Sequence, residues 1–284
     1  METRTAPLRA FYNAISEEPI SVFRVGLLVS AQDQRRALLF DEWEDTLDEL
    51  AEEVKEEVHA IRAPNRLLEG LNRVLFDGFG LRGNAEDYYN PENSYLDRVL
   101  ERKLGIPLTL SIVYLEVAKR ANIPVVGVGI PGHFMVKIEG LGRDIFADPF
   151  NRGRLHTRQS CNELVSTLMG RKIQLPEAAF KPADERTMVI RLLMNLRNIY
   201  LSADQINLGM ETCERLLIME PSEATHFRTR GLLHFQLGES YLALRDLTTY
   251  KSKAVKPDPE ADAISNIIKA LREIVSSETS SNSE

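Results

Sequence analysis

His133 and Asp148 are the residues whose types and surroundings suggest chemistry. His133 follows the turn-forming pair Pro131-Gly132, and Asp148 precedes Pro149; both lie in short segments patterned as strands. A carboxylate on one imidazole nitrogen fixes the tautomer and stabilises the imidazolium, leaving the other nitrogen to act as a base. A nucleophile at a helix start completes such a site, because the helix dipole and a nearby His stabilise a thiolate. The helix opening at Pro107 offers Leu108, Thr109, Leu110 and Ser111 there, so it has two hydroxyls and no thiol. A hydroxyl titrates far above a thiol, and a thiolate–imidazolium site would activate it poorly. The ordinary role of Thr109 and Ser111 is hydrogen bonding at the helix start or back to the previous turn. A His–Asp pair can also do no more than hold two strands together.

The elements that must position these groups can be read in part. Pro107 to Ala121 is apolar around nearly its whole circumference, with charge only at Glu116, Lys119 and Arg120. Such a helix is buried on most sides, yet it is too short to cross a bilayer. After Asn122-Ile123-Pro124 the period changes to two, with Val126 and Val128 in one strand. His133–Ile138 and Asp144–Asp148 follow as two more, joined by a Gly-rich turn. An antiparallel register that sets Val136 opposite Ile145 and Phe134 opposite Ala147 collects apolar residues on one face. On the other face Lys137 meets Asp144, Met135 meets Phe146, and His133 meets Asp148.

Other candidates are weaker. Cys161 is the obvious replacement thiol, but it sits in an amphipathic segment with Leu164 and Leu168 and reads as a buried, inert cysteine; Cys213 reads as core. His156, with Arg152 and Arg154, reads as an exposed basic loop. Gly127-Val128-Gly129-Ile130-Pro131-Gly132 has the glycine spacing of a dinucleotide-binding turn, but a strand follows where a helix start is needed, and Pro131 removes a donor. No spacing among the five histidines and two cysteines resembles a zinc site, and no metal or cofactor is expected.

The 284 residues carry a net charge of −7, with 43% hydrophobic content, and no basic run stands out, which argues against nucleic acid as a partner. Two cysteines in separate regions fit a reducing compartment. No membrane span or secretory leader is read, so a cytoplasmic protein is expected.

The flanks are helical. Pro19–Val29, Thr46–Ile61 and Leu67–Gly78 carry apolar stripes, and Asn93-Ser94 reads as the cap of a helix over Tyr95–Lys103. Beyond a linker at Lys181–Asp184 come helices over Glu185–Leu201, Asp204–Met219, Glu223–Leu237 and Glu239–Ala254. Pro221 and Pro257, 36 positions apart, close two helix pairs at nearly the tetratricopeptide period. Gly231, Gly238 and Ala243 supply small residues for close helix contact. A last helix over Glu260–Val275 caps the stack, and the Ser-rich end is expected to be disordered.

Several motifs together resemble the bacterial SirB-type family: Asn93-Ser94-Tyr95-Leu96, Val99-Leu100-Glu101-Arg102, Gly105-Ile106-Pro107, Pro131-Gly132-His133-Phe134 and Asp148-Pro149-Phe150. Arg230-Gly231-Leu232-Leu233 and Ala243-Leu244-Arg245-Asp246-Leu247 resemble its C-terminal part, and the likeness runs from about Leu38 to Val275. The resemblance implies an α+β, mostly helical fold: a transglutaminase-like, papain-type core with a small antiparallel sheet over residues 1–183, then tetratricopeptide-like helices over 184–275 and a tail over 276–284. In active transglutaminase-like enzymes the triad is Cys, His, Asp. His133 and Asp148 match the second and third members, and the Cys position falls near Leu108–Ser111, where this chain departs from the pattern. The expectation is a non-catalytic transglutaminase-fold module that binds an unidentified protein or peptide and acts in regulation. The alternative is a hydrolase or acyltransferase using Ser111 or Thr109 with His133 and Asp148.

Overall fold

The computed structural model describes residues 2–37, 39–59, 63–140, 144–254 and 261–281. Two compact units divide between Leu192 and Leu193.

The first unit begins with helices α1 (Glu2–Ile15), α2 (Val22–Gln34), α3 (Phe40–Val58) and α4 (Pro64–Asn72), the last running into a wider π-type turn over Arg73–Gly78. The apolar stripe of α3 is buried through Leu47, Leu50, Ala51 and Val54, while its acidic face is solvated. Ile61, the expected end of that helix, lies outside the described residues. Two short parallel strands, β1 (Arg82–Gly83) and β2 (Leu104–Gly105), bracket α5 (Leu96–Arg102). The capping role expected of Asn93-Ser94 is not seen. The residue before α5 is Tyr95, without a side-chain cap, and the buried Ser94 hydroxyl has no hydrogen-bond partner among the described residues. Asn93 is instead the hub of a buried polar network, accepting from Asn84 Nδ2 at 3.0 Å and donating to Asp87 O.

Helix α6 (Pro107–Arg120) is the element on which the unit is built. Pro107 to Tyr114, Val117 and Ala118 are all buried, and α2, α3 and α5 surround it together with the sheet. Pro107 sits at a first-turn position, where its missing N–H costs nothing.

The sheet is a meander of β3 (Val125–Ile130), β4 (His133–Ile138), β5 (Phe146–Asp148) and β6 (Arg154–His156), antiparallel and in chain order. Pro131 and Gly132 make the β3–β4 turn, with Gly132 at φ +72°, a value that favours glycine. The β4–β5 register differs from the expected one by two residues: Val136 pairs with Ala147 and Lys137 with Phe146. The expected strand also starts late, since Asp144 and Ile145 precede β5. A shift of two keeps every side chain on its face. Val136 and Ala147 are both fully buried, whereas Ile145 is only half-buried, so burial selects this register. Lys137 still reaches Asp144 diagonally at 3.4 Å. His133 is therefore diagonal to Asp148 on the same face, not directly opposite it.

Both faces are covered. On one, a methyl on Gly127 would meet Leu115 of α6 at 3.2 Å, which shows how closely that helix packs. On the other, Val128, Ile130, Met135 and Phe146 pack with Cys161 and Val165 of α7 (Arg158–Met169), and with Leu175 and Phe180.

Helix α8 (Glu185–Ser202) spans the division between units. The second unit continues with α9 (Ile206–Met219), α10 (Ala224–Gln236), α11 (Ser240–Lys253) and α12 (Ala261–Ser281). Gly231 permits the close approach of α10 and α11: a Cβ there would lie 2.8 Å from Leu247 Cγ and 3.1 Å from Leu247 N. Gly238 takes φ +74° in the turn between them. Arg230 clamps the buried Asp246 through Nε at 2.5 Å and Nη2 at 3.0 Å. The tail departs from expectation, because α12 runs on to Ser281; only 282–284 lie outside the description. Among the described residues no helix is long and apolar enough to cross a membrane.

Candidate functional site

His133 opens β4 and Asp148 closes β5, so the meander itself carries both side chains to one end of the sheet. His133 Nε2 lies 2.9 Å from Asp148 Oδ1, with the ring 5% exposed and the carboxylate fully buried. The two atoms are in contact without the alignment of a hydrogen bond. Asp148 has a second task. Its Oδ1 accepts from Phe150 N at 3.0 Å and Asn151 N at 3.3 Å, and its Oδ2 accepts from Asn151 Nδ2 at 2.7 Å. It thereby caps the single 3-10 turn Pro149–Asn151. Burial works to raise the pKa of this carboxyl, but the His133 and Asn151 contacts outweigh it and hold the group below its ordinary value.

The start of α6 presents no free nucleophile to this pair. Ser111 Oγ donates to Pro107 O at 2.7 Å, one turn back. Thr109 Oγ1 donates to Asn93 O at 2.7 Å and accepts from Ile106 N at 3.1 Å, tying the helix start to the segment before α5. Both residues are fully buried, and neither hydroxyl hydrogen-bonds His133. Cys161 faces the same side of the sheet as the pair, but its Sγ packs against Met135 Sδ at 3.6 Å. Burial pushes that thiol up to about 12, with the Asp148 charge adding to the effect. Cys213, fully buried in the second unit, is likewise pushed up to about 12, chiefly by burial.

His156 overturns the reading of an exposed basic loop. It lies in β6 opposite Phe146, is 91% buried by its 9% exposure, and shares a face with Asp148. Its Nδ1 is 3.2 Å from Ser160 Oγ, while Nε2 is buried without a partner. Desolvation lowers the pKa of His156, opposed by Asp148 and reinforced by Arg154 and His133. Folding thus favours the neutral ring. Its contribution to stability is complete above the unfolded value of about 6.5 and is lost as pH falls through the lower folded value. Urea midpoints measured between about pH 7 and pH 5 should decline in the wild type, and His156→Gln should flatten that decline. An unchanged slope in the variant would show that other groups set it.

Aromatic rings lie beside His133. Phe150 stands edge-on to His133 with centroids 6.0 Å apart, and Tyr88 stands edge-on to Phe150 at the same separation. Arg191 of α8 donates through Nη2 to His133 O at 2.7 Å and to Ile130 O at 3.3 Å, bracing the β3–β4 turn. Phe150 belongs to the Asp148-Pro149-Phe150 motif, whereas Tyr88 and Arg191 carry no such signal, and nothing in the sequence links Arg191 to His133 across 58 positions. Among the described residues no cluster of His, Cys, Asp and Glu is placed to hold a metal ion.

Comparison with known proteins places the architecture. The model of a transglutaminase-like superfamily matches residues 41–194, and a tetratricopeptide repeat model matches 196–272. A UPF0162 protein of Xylella fastidiosa (strain 9a5c) is 32% identical over 253 residues, covering 88% of this chain and 90% of that protein. The chain belongs to the UPF0162 family. The UPF0162 protein YchA of Escherichia coli (strain K12) is 27% identical, covering 86% of this chain and 89% of its own length. F-box only protein 21 of Mus musculus is 29% identical over 189 residues, which are 63% of this chain and 29% of that protein. No solved structure matches. The domain order of this UPF0162 member is the one expected from the SirB-type resemblance: a transglutaminase-like domain, then tetratricopeptide helices.

Proposed function

We propose that the protein is a non-catalytic binding module that engages a protein or peptide and acts in regulation. The observation that carries this reading is the state of the α6 start. His133 and Asp148 stand 2.9 Å apart, while Thr109 and Ser111 are committed to backbone hydrogen bonds. A general base must reach the proton it removes, either directly or through one water. The tetratricopeptide helices add a surface of the kind on which stacked repeats bind partners. The likeness to a segment making up 29% of F-box only protein 21 fits the same view, since a comparable unit sits there within a much longer chain.

The test separates binding from catalysis on the full-length chain. A fluorophosphonate probe, which phosphonylates activated hydroxyls with loss of fluoride, is expected to leave the protein unlabelled, and cross-linking in native extract should recover one partner in stoichiometric amount. Labelling that disappears in Ser111→Ala or Thr109→Val would establish the hydrolase or acyltransferase reading instead. Recovery of the chain alone, at its own mass, would remove the support for a binding role.

A further inference from the structure

Three polar groups near the His133–Asp148 pair have, among the described residues, no partner for their remaining capacity. The first is Arg191. Its Nη2 serves two backbone carbonyls, and its guanidinium lies 5.4 Å from the Phe134 ring centre, yet it makes no ion pair with a carboxylate among the described residues. That is unlike Arg98, Arg120, Arg158 and Arg230, each of which meets a carboxylate in this acidic chain. Burial lowers the pKa of Arg191, as expected of a cation withdrawn from water without a counter-ion. The second is the Tyr88 hydroxyl, which makes no hydrogen bond among the described residues and lies close enough to Arg191 for each to bias the other's ionisation. The third is His133 Nδ1, which is left over once Nε2 faces Asp148 and which bonds no described residue.

The chemistry of these groups narrows the ligand. Arg191 and Tyr88 offer donors and positive charge, so they suit a carboxylate. With Nε2 facing Asp148, Nδ1 is the ring nitrogen left to a ligand, and in the tautomer protonated at Nε2 it is an acceptor, so the same ligand must also supply a donor. The last residue of a peptide has both features within a few bonds: its terminal carboxylate and its own amide N–H. The aromatic faces of Phe150 and Tyr88 stand where its side chain would lie. A strongly acidic peptide is disfavoured by the net charge of −7, whereas a single carboxylate is not.

We infer that this cluster takes the free C-terminal carboxylate of a peptide on Arg191 and Tyr88, with the terminal residue's amide N–H donating to Nδ1 of His133. This deepens the binding reading above and rests on it.

The minimal probe is N-benzoylglycine, which carries an aromatic group, an amide N–H and a carboxylate; N-benzoylglycinamide is its uncharged control. Titrated into the full-length chain and followed by calorimetry, the acid should bind about tenfold more tightly than the amide, a difference of ~1.4 kcal/mol. Arg191→Gln, which keeps side-chain N–H donors for the two carbonyls, should abolish the preference. Tyr88→Phe keeps the ring contacts and should reduce the preference about threefold with no change in melting temperature. Equal binding of acid and amide, absence of binding of either at about 10 mM, or full discrimination retained in Tyr88→Phe would overturn the assignment. A cellular partner that binds equally well with its C-terminus amidated would sink the carboxylate site while leaving the binding role intact. Failure to recover any partner, with the acid still preferred, would do the reverse.

Discussion

Asp148→Ala should lower the stability of the first unit by about 3 kcal/mol, the largest loss expected from a single polar substitution at the site. The carboxylate is fully buried, approaches His133 at 2.9 Å and accepts three hydrogen bonds from the turn that follows it. Alanine removes the partner of a buried imidazole and leaves the Phe150 and Asn151 amides without an acceptor. Asp148→Asn keeps an oxygen for the turn and removes the charge, so it should cost roughly half as much. The pH dependence identifies the charge contribution. Because the folded carboxyl is held below its ordinary value, folding favours the ionised form. That stabilisation is complete above about pH 4 and is lost as pH falls through the folded value. Urea midpoints of wild type and Asp148→Asn should therefore converge below about pH 4; a gap that stays constant would mean that packing, not charge, explains the loss.

Gly83→Ala should cost about 2 kcal/mol and lower the melting temperature by about 4–8 °C, although Gly83 is distant in sequence from the His–Asp pair. A methyl there would lie 2.5 Å from both Phe150 O and Phe150 Cδ2. Backbone cannot yield as a flexible side chain can, so the turn Pro149–Asn151 must shift, and with it the Phe150 ring beside His133. Gly105, the partner of Gly83 across the two parallel strands, is similarly confined, with Thr109 Oγ1 2.9 Å from its would-be Cβ. These two glycines let β1 and β2 lie against the 149–151 turn and the start of α6. Gly78→Ala is the control, since its methyl would meet only Arg73 O at 3.6 Å and should change stability by less than about 0.5 kcal/mol. In the Gly83 variant, the His133 ring resonances should move; an unshifted ring with a normal melting temperature would refute the coupling.

The helices of this protein were readable because each buries a stripe or a whole surface, and burial leaves a period in the sequence. The all-round apolar character of α6 announced a central helix, and the alternation after Pro124 announced the hairpin. Nearness of His133 to Asp148 also followed from the pattern, since two strands joined by a short turn must collect like residues on one face. The exact register did not follow. A slip of two residues preserves every face, so periodicity is blind to it, and only the complete burial of Val136 against Ala147 distinguishes the two pairings. His156 was misread for a related reason: β6 is three residues long, too short to display any period.

By itself, the sequence determined that the chain is a helical transglutaminase-like unit followed by tetratricopeptide helices, and that a His–Asp pair stands near a helix start with hydroxyls in place of a thiol. Residue types and local periods give the helices, the strands and the pair, and the resemblance carried by the quoted motifs gives the transglutaminase-like assignment. The tertiary structure alone decided where those hydroxyls point, that Thr109 and Ser111 serve the backbone, and that Arg191, Tyr88 and Phe150 gather around His133. Those facts depend on contacts between residues 16 to 62 positions apart, or on rotamers chosen by packing, and neither leaves a periodic trace in the chain.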